Sequence, residues 1–163
     1  MAKVLIIDDD TQVAGVLKAH LTEEGYEVFV AHTGAEGLAE ARRGQMDLIM
    51  LDVMLPDATG FQLCKELRRS PATQSTPIIM MSGVARYPNQ KVFGLERGAN
   101  EYLLKPFQIV EVGDMVNSYI RPGHARSVAS PAVHRTPPPP HDNSADSPEL
   151  RSFIDKAMNR FQI

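Results

Sequence analysis

One cysteine in 163 residues, Cys64, excludes an internal disulfide and makes a reducing cytosol the natural compartment. No apolar stretch approaches the ~20 residues of a membrane span. At the amino end the run Val4–Ile7 meets Asp8 too soon to serve as the core of a signal peptide. A basic excess is missing as well. The net charge is −3, and residues 1–121 hold 12 Lys and Arg against 16 Asp and Glu. An acidic body argues against a large nucleic-acid footprint. These absences predict a soluble cytoplasmic protein with no membrane and no nucleic acid among its partners.

What is present is a pattern. Five short apolar runs recur at Val4–Ile7, Val28–Ala31, Leu48–Leu51, Ile78–Met81 and Tyr102–Leu104, each closing near a polar residue. Between them the apolar residues take helical spacing: Val13, Leu17 and Leu21; Ala35, Leu38 and Ala39; Phe61, Cys64 and Leu67; Val92 and Leu95; Val112, Val116, Tyr119 and Ile120. Gly25, Gly44 and Gly98 stand where the first, second and fourth helices would end. Strict strand–helix alternation predicts an α/β fold, a doubly wound, five-stranded parallel sheet with helices on both faces, and the order expected for such a sheet is the flavodoxin-like 2-1-3-4-5.

Past residue 121 the character changes. Residues 122–147 contain Pro131, Pro137–Pro140 and several serines, the composition of a disordered, partly polyproline linker. Ser147, Pro148 and Glu149 then supply an N-cap, a proline at the first helical position and an early acid. Leu150, Phe153, Ile154, Ala157, Met158 and Phe161 follow on one stripe. The expected layout is a domain over 1–121, a linker over 122–147 and an isolated amphipathic interaction helix over 148–163. Its stripe has three possible seats: its own domain, a second copy, or a partner's groove.

The chemistry collects at the strand ends. Asp8 and Asp9 follow the first strand and Asp52 the third, and in this strand order those two strands are neighbours at the topological switch point. Three carboxylates in one crevice repel unless a cation sits among them, and hard oxygen ligands suit Mg²⁺. Ser82 closes the fourth strand, and Lys105, ahead of Pro106, closes the fifth. Taken singly these are ordinary residues: turn acids, a strand-end hydroxyl, a surface lysine, with Asp10 a helix cap. Taken together they supply a carboxylate nucleophile, metal ligands, a hydroxyl donor and an ammonium, a set that fits phosphoryl transfer to a carboxylate.

Four segments carry a resemblance. Lys3 to Asp10, Leu51 to Gly60, Pro77 to Gly83 and Gly98 to Phe107 resemble, in order and spacing, the motifs of response regulator receiver domains of two-component signal transduction, of the CheY-like kind. The resemblance covers residues 1–121. It implies Asp52 as phosphoacceptor, with Mg²⁺ held by Asp9, Asp52 and the backbone carbonyl of Met54 and by Asp8 through water. It also implies Ser82 and Tyr102 as a switch pair and a cis bond between Lys105 and Pro106.

The function expected on this basis is a response regulator phosphorylated on Asp52 by a histidine kinase or phosphotransfer protein. It would signal by protein–protein contact, without a DNA-binding output domain, as a monomer or a phosphorylation-promoted dimer. Enzymatic activity would be limited to Mg²⁺-dependent self-phosphorylation and slow self-dephosphorylation. On phosphorylation Ser82 would move toward the phosphoryl group and Tyr102 would turn from exposed to buried. A tether or adaptor acting mainly through the terminal helix is the alternative. A haloacid dehalogenase-like enzyme would want a second acid two residues past the nucleophile, where Met54 stands. Cys64 reads as core, and His20 and His32 lack partners at ligand spacing.

Overall fold

The computed structural model describes residues 1–83, 95 and 98–121. The expected fourth helical stretch around Val92, the linker and the terminal helix lie outside the described residues. Nine elements follow one another: β1 (Lys3–Ile7), α1 (Thr11–Glu23), β2 (Glu27–Ala31), α2 (Gly34–Gly44), β3 (Leu48–Asp52), α3 (Gly60–Arg69), β4 (Ile78–Ser82), β5 (Glu101–Leu104) and α4 (Ile109–Ile120) among the described residues. The strands form one parallel sheet in the order β2-β1-β3-β4-β5, as the alternation predicts. Among the described residues no helix is long and apolar enough to cross a membrane.

The central strands read as continuous apolar runs because both of their faces are covered. All five residues of β3 and of β4 are buried. Alternation within a strand splits the core into two layers. Leu5, Ile7, Ile49, Leu51 and Met80 meet Leu63, Cys64 and Leu67 of α3 on one face. On the other, Val4, Ile6, Leu48, Met50 and Ile79 meet Leu17 and Leu21 of α1 and Val112 and Val116 of α4. Each of these large side chains contributes about 1.5–3 kcal/mol by leaving water. The single cysteine is in this core, as read from its spacing.

Two local expectations need correction. The second helix does not bury Ala35 and Ala39. Its inner face is Gly34, Gly37 and Ala41, with Leu38 half-buried. The period was right, but the face is rotated because α2 lies so close to β1 that a Cβ on Gly37 would run into the Ile7 side chain. Nor is Gly44 the left-handed residue that ends α2. The helix includes it, and Gln45 takes that conformation at φ 46°. Gly25 and Gly98 do carry positive φ, at 92° and 101°. The cis Lys105–Pro106 bond is present.

Three of the four described helices start on a local side-chain cap. Asp10 accepts from the backbone N–H groups of Gln12 and Val13 to start α1, which makes it a cap rather than a ligand. Thr33 caps α2 by accepting from Glu36 N–H. Thr59 and Gln62 form a reciprocal capping box at α3, which fixes where the chain leaves the β3 end.

Arg68, at the far end of α3, ties the C-terminal half of the sheet together. Its Nε donates to the carbonyl of Gly98 at 2.9 Å, and its Nη1 to those of Thr73, Gln74 and Thr76 at 3.2, 3.2 and 2.6 Å. Nη2 donates to Asn100 Oδ1 at 2.9 Å, the same oxygen that accepts from Ile78 N–H. One planar guanidinium thus fastens α3, the lead into β4 and the lead into β5. Arg68→Ala leaves those acceptors without their donor and is expected to destabilise the protein by about 2–3 kcal/mol in urea unfolding. An unchanged unfolding midpoint would contradict this.

Candidate functional site

The parallel register brings four strand ends to one edge. Ile7 pairs with Leu51, Asp52 with Met81, and Ser82 with Leu104, so the residues that follow β1 and β5 face the last residue of β3 across the crevice. Asp8 has no exposed surface and Asp52 only 6%, whereas Asp9 is exposed. Carboxylate oxygens of all three lie within 4.8 Å of one another. Lys105 reaches in from the β5 end, its Nζ 2.6 Å from Asp8 Oδ2 and 3.3 Å from Asp52 Oδ2.

The remaining carboxylate oxygens are held by backbone. Asp8 Oδ1 accepts from Asp10 N–H at 2.9 Å, and Asp52 Oδ1 from Met54 N–H at 3.3 Å. Behind Asp52 the chain folds back on itself. Met54 bridges Thr59, and Gly60 N–H donates to the Val53 carbonyl at 2.8 Å. A Cβ on Gly60 would strike the backbone of Asp52 and Val53, so only glycine allows this return. The loop therefore holds Met54 beside Asp52.

Burial is the largest influence on Asp52, followed by the charge of Asp8. Against the opposing pull of Lys105 and the Met54 amide they push its carboxyl from 3.8 up to about 7. For Lys105, burial favours the neutral amine, but the hydrogen bond to Asp8 and the charges of Asp52 and Asp8 overrule it, so its pKa is raised. One ammonium among three carboxylates leaves negative charge uncompensated. Oxygen-only donors with Asp9 open to water fit Mg²⁺, which keeps part of its hydration shell.

Ser82 is 1% and Tyr102 7% exposed. Burial, the largest influence, raises the Tyr102 pKa, while a side-chain hydrogen bond with Ser82 opposes the rise. The structure thus joins the expected switch pair directly. It also corrects one detail: Tyr102 is already inside, packed in the α2–α3 layer of the core, rather than exposed. A tyrosine on an edge strand facing an apolar layer gains more from that layer than from water.

Two residues near the site went unread in the sequence. His32, set aside for want of ligand-spaced partners, has its Nδ1 3.0 Å from the Asp8 carbonyl. Asp57, taken as part of the loop motif, accepts from Gly34 and Ala35 N–H. Neither contact has a sequence signal, because each spans more than 20 residues.

Beside the acids opens a groove of about 540 Å³, lined by Val13, Val16, Pro106 and Phe107 and reached past Lys105 and Gly83. Val16 is 59% exposed.

A parallel sheet with acids at its switch point and a lysine on a cis proline defines a receiver domain. The response regulator receiver domain model matches residues 4–117, and the chain belongs to that family. Among curated relatives, the DNA-binding dual master transcriptional regulator RpaA of Synechocystis sp. is 39% identical over 121 residues, 74% of this chain and 50% of that protein. The chain spans about half the length of the curated relatives it matches. A crystal structure of a putative response regulator from Chloroflexus aurantiacus is 38% identical with a TM-score of 0.69, covering 73% of this chain and 97% of that one. The receiver domain of a sensor histidine kinase from Pseudomonas aeruginosa, with magnesium coordinated in its active-site cleft, is 28% identical with a TM-score of 0.67, covering 73% of this chain and 97% of that one. Receiver domains are phosphorylated on aspartate, bind Mg²⁺ at the acidic pocket and interact with histidine kinases or phosphotransfer proteins.

The raised Asp52 pKa has a consequence for stability. Between 3.8 and about 7 the folded protein holds a proton there that the unfolded chain has released, so raising the pH favours unfolding. The metal-free protein is therefore expected to lose stability as pH rises through that window, and Mg²⁺ to recover it near neutrality. Melting in chelator at both ends of the window checks this, with a flatter slope expected for Asp52→Asn. A wild-type melting temperature that is level across the window would contradict it.

Proposed function

We propose that this chain is a phosphorylation-switched signalling protein whose Asp52 takes a phosphoryl group from the phosphohistidine of a histidine kinase or phosphotransfer protein. The observation that supports this most is the buried Asp8–Asp52 pair bridged by the half-buried Lys105 at the ends of β1, β3 and β5. An Asp52 oxygen attacks phosphorus in line, a P–O bond forms, and the P–N bond to the donor imidazole breaks with its electron pair leaving on nitrogen. Lys105 offsets charge on the phosphoryl oxygens. Mg²⁺ would be held by Asp9, Asp52 and the Met54 carbonyl, and by Asp8 through water; when bound it supplies further charge neutralisation. The groove beside Lys105, lined by Val13, Val16, Pro106 and Phe107, offers the donor domain an apolar seat. No turnover of another substrate is proposed beyond self-phosphorylation from phosphodonors and slow loss of the phosphoryl group.

The response runs through Ser82. The new phosphoryl oxygens compete with Tyr102 for its hydroxyl, so phosphorylation breaks a hydrogen bond buried at the β4–β5 end and biases that edge between two arrangements. The output we favour is protein–protein contact, by a monomer or a phosphorylation-promoted dimer. Residues 1–121 would form the receiver, 122–147 a linker and 148–163 a helix presenting Leu150, Phe153, Ile154, Ala157, Met158 and Phe161. The acidic body supports protein rather than nucleic acid as partner. The DNA-binding relative matches over half its length, and on this chain the receiver model covers residues 4–117. The apolar stripe favours a second reading, an adaptor in which the receiver only gates the terminal helix.

Incubation with a small phosphodonor and Mg²⁺, followed by intact mass, tests the central step. The wild type is expected to gain the mass of one phosphoryl group and Asp52→Ala none. An adduct on the Ala variant, or none on the wild type, would sink the proposal. Deleting residues 123–163 separates the two outputs, since partner capture by the phosphorylated receiver survives deletion only if the helix is dispensable.

A further inference from the structure

The turn between β2 and α2, His32 to Ala35, lies outside the acidic cluster yet touches both loops that carry its oxygens. On one side His32 Nδ1 sits 3.0 Å from the Asp8 carbonyl. A carbonyl only accepts, so Nδ1 carries the proton and donates. Asp8 N–H in turn donates to the Ala31 carbonyl at 3.0 Å, which fastens the end of β1 to the start of the turn twice over. On the other side the Asp57 carboxylate straddles the first amides of α2, accepting from Gly34 N–H at 2.7 Å and Ala35 N–H at 2.9 Å. Burial alone would raise the Asp57 pKa, but those amides hold it below the usual carboxylate value, so the clamp is charged at neutral pH.

Two further hydrogen bonds brace the turn itself. Thr33 Oγ1 accepts from Glu36 N–H, while the Glu36 carboxylate accepts from His32 N–H at 3.1 Å. One rigid corner therefore grips the Asp8–Asp9 loop with one arm and the Met54–Thr59 loop with the other. The sheet fixes Asp8 and Asp52 through the β1–β3 register. It does not reach Met54, which among the described residues is tied only by its own N–H to Asp52 and its bridge to Thr59 in the same loop, nor the exposed Asp9.

We propose that the β2–α2 turn is a bracket that sets the span between Asp9 and the Met54 carbonyl, and that His32 and Asp57 are positioning residues that make the site prefer Mg²⁺ over Ca²⁺. This rests on the ligand set proposed above. Mg²⁺ needs a near-ideal octahedron at about 2.0–2.1 Å, whereas Ca²⁺ accepts six to eight oxygens at about 2.3–2.6 Å in loose geometry. Loosening either arm widens the range of spans the loops sample. That costs the small rigid ion far more than the large adaptable one. A merely structural role would weaken both ions alike.

Calorimetric titration of the full chain with MgCl₂ and with CaCl₂ tests this, alongside circular dichroism and melting of each metal-free variant. Asp57→Ala and His32→Ala are expected to bind Mg²⁺ about tenfold more weakly and Ca²⁺ within about twofold of wild type. Asp57→Asn, which keeps one acceptor but turns an NH₂ donor against the other amide, is expected to fall between wild type and Asp57→Ala. Unchanged Mg²⁺ affinity in both alanine variants, or equal weakening of the two ions, would overturn the bracket while leaving the ligand set standing. A wild type that binds neither ion would overturn the ligand set itself and the bracket with it. Should Asp57→Ala fail to fold, His32→Ala and Asp57→Asn carry the same test.

Discussion

Asp8 and Asp52 sit side by side, almost out of water, on neighbouring strands, and two carboxylates so placed repel unless a cation lies against both. Lys105 is that cation, and its position depends on much of the chain. The ammonium arrives from the end of β5, two strands away from β3, so the sheet must close its order and register before the charges can meet. The arrangement is electrostatically incomplete, with three acids about one lysine. Receivers use that deficit: the pocket that burdens the empty fold is the pocket that binds Mg²⁺ and receives a phosphoryl group.

The scaffold around this edge is built to hold it still. The β3 exit is fixed by a capping box and by a backbone return that only Gly60 permits. The opposite end of α3 is fixed by the Arg68 guanidinium, which bonds both to the lead into β4 and to the lead into β5. Helix α3 is thus pinned at both ends, near the acids and near the strands that carry Ser82 and Tyr102. Such pinning keeps a change in charge at one strand end from being lost in slack backbone.

Element order and the buried central strands could be read from apolar periodicity, because burial on two faces leaves a direct trace in composition; the strand order came from the doubly wound fold expected for such an alternation. The acids, Ser82 and Lys105 were legible for a related reason: strand ends in such a sheet share an edge, so chain position alone brings them together. What escaped were features decided by close approach. Gly37 pulls α2 onto Ile7 and turns its buried face, and no periodicity records a side chain that is missing. The hydrogen bonds of His32 and Asp57 cross from one loop to another, where residue type is permissive and only geometry selects the partner. The inward seat of Tyr102 escaped too, because a half-polar side chain at an edge strand has two reasonable places and packing chooses between them.

The contrast between the two leading acids also bears on time. Asp8 has no contact with solvent, while Asp9, one residue on, is exposed. The pocket has a sealed floor and an open lip. An ion or a donor can exchange across the lip while every core residue stays packed, so loading does not have to wait for the fold to breathe. The rim at Asp9 can therefore be altered without touching any core residue.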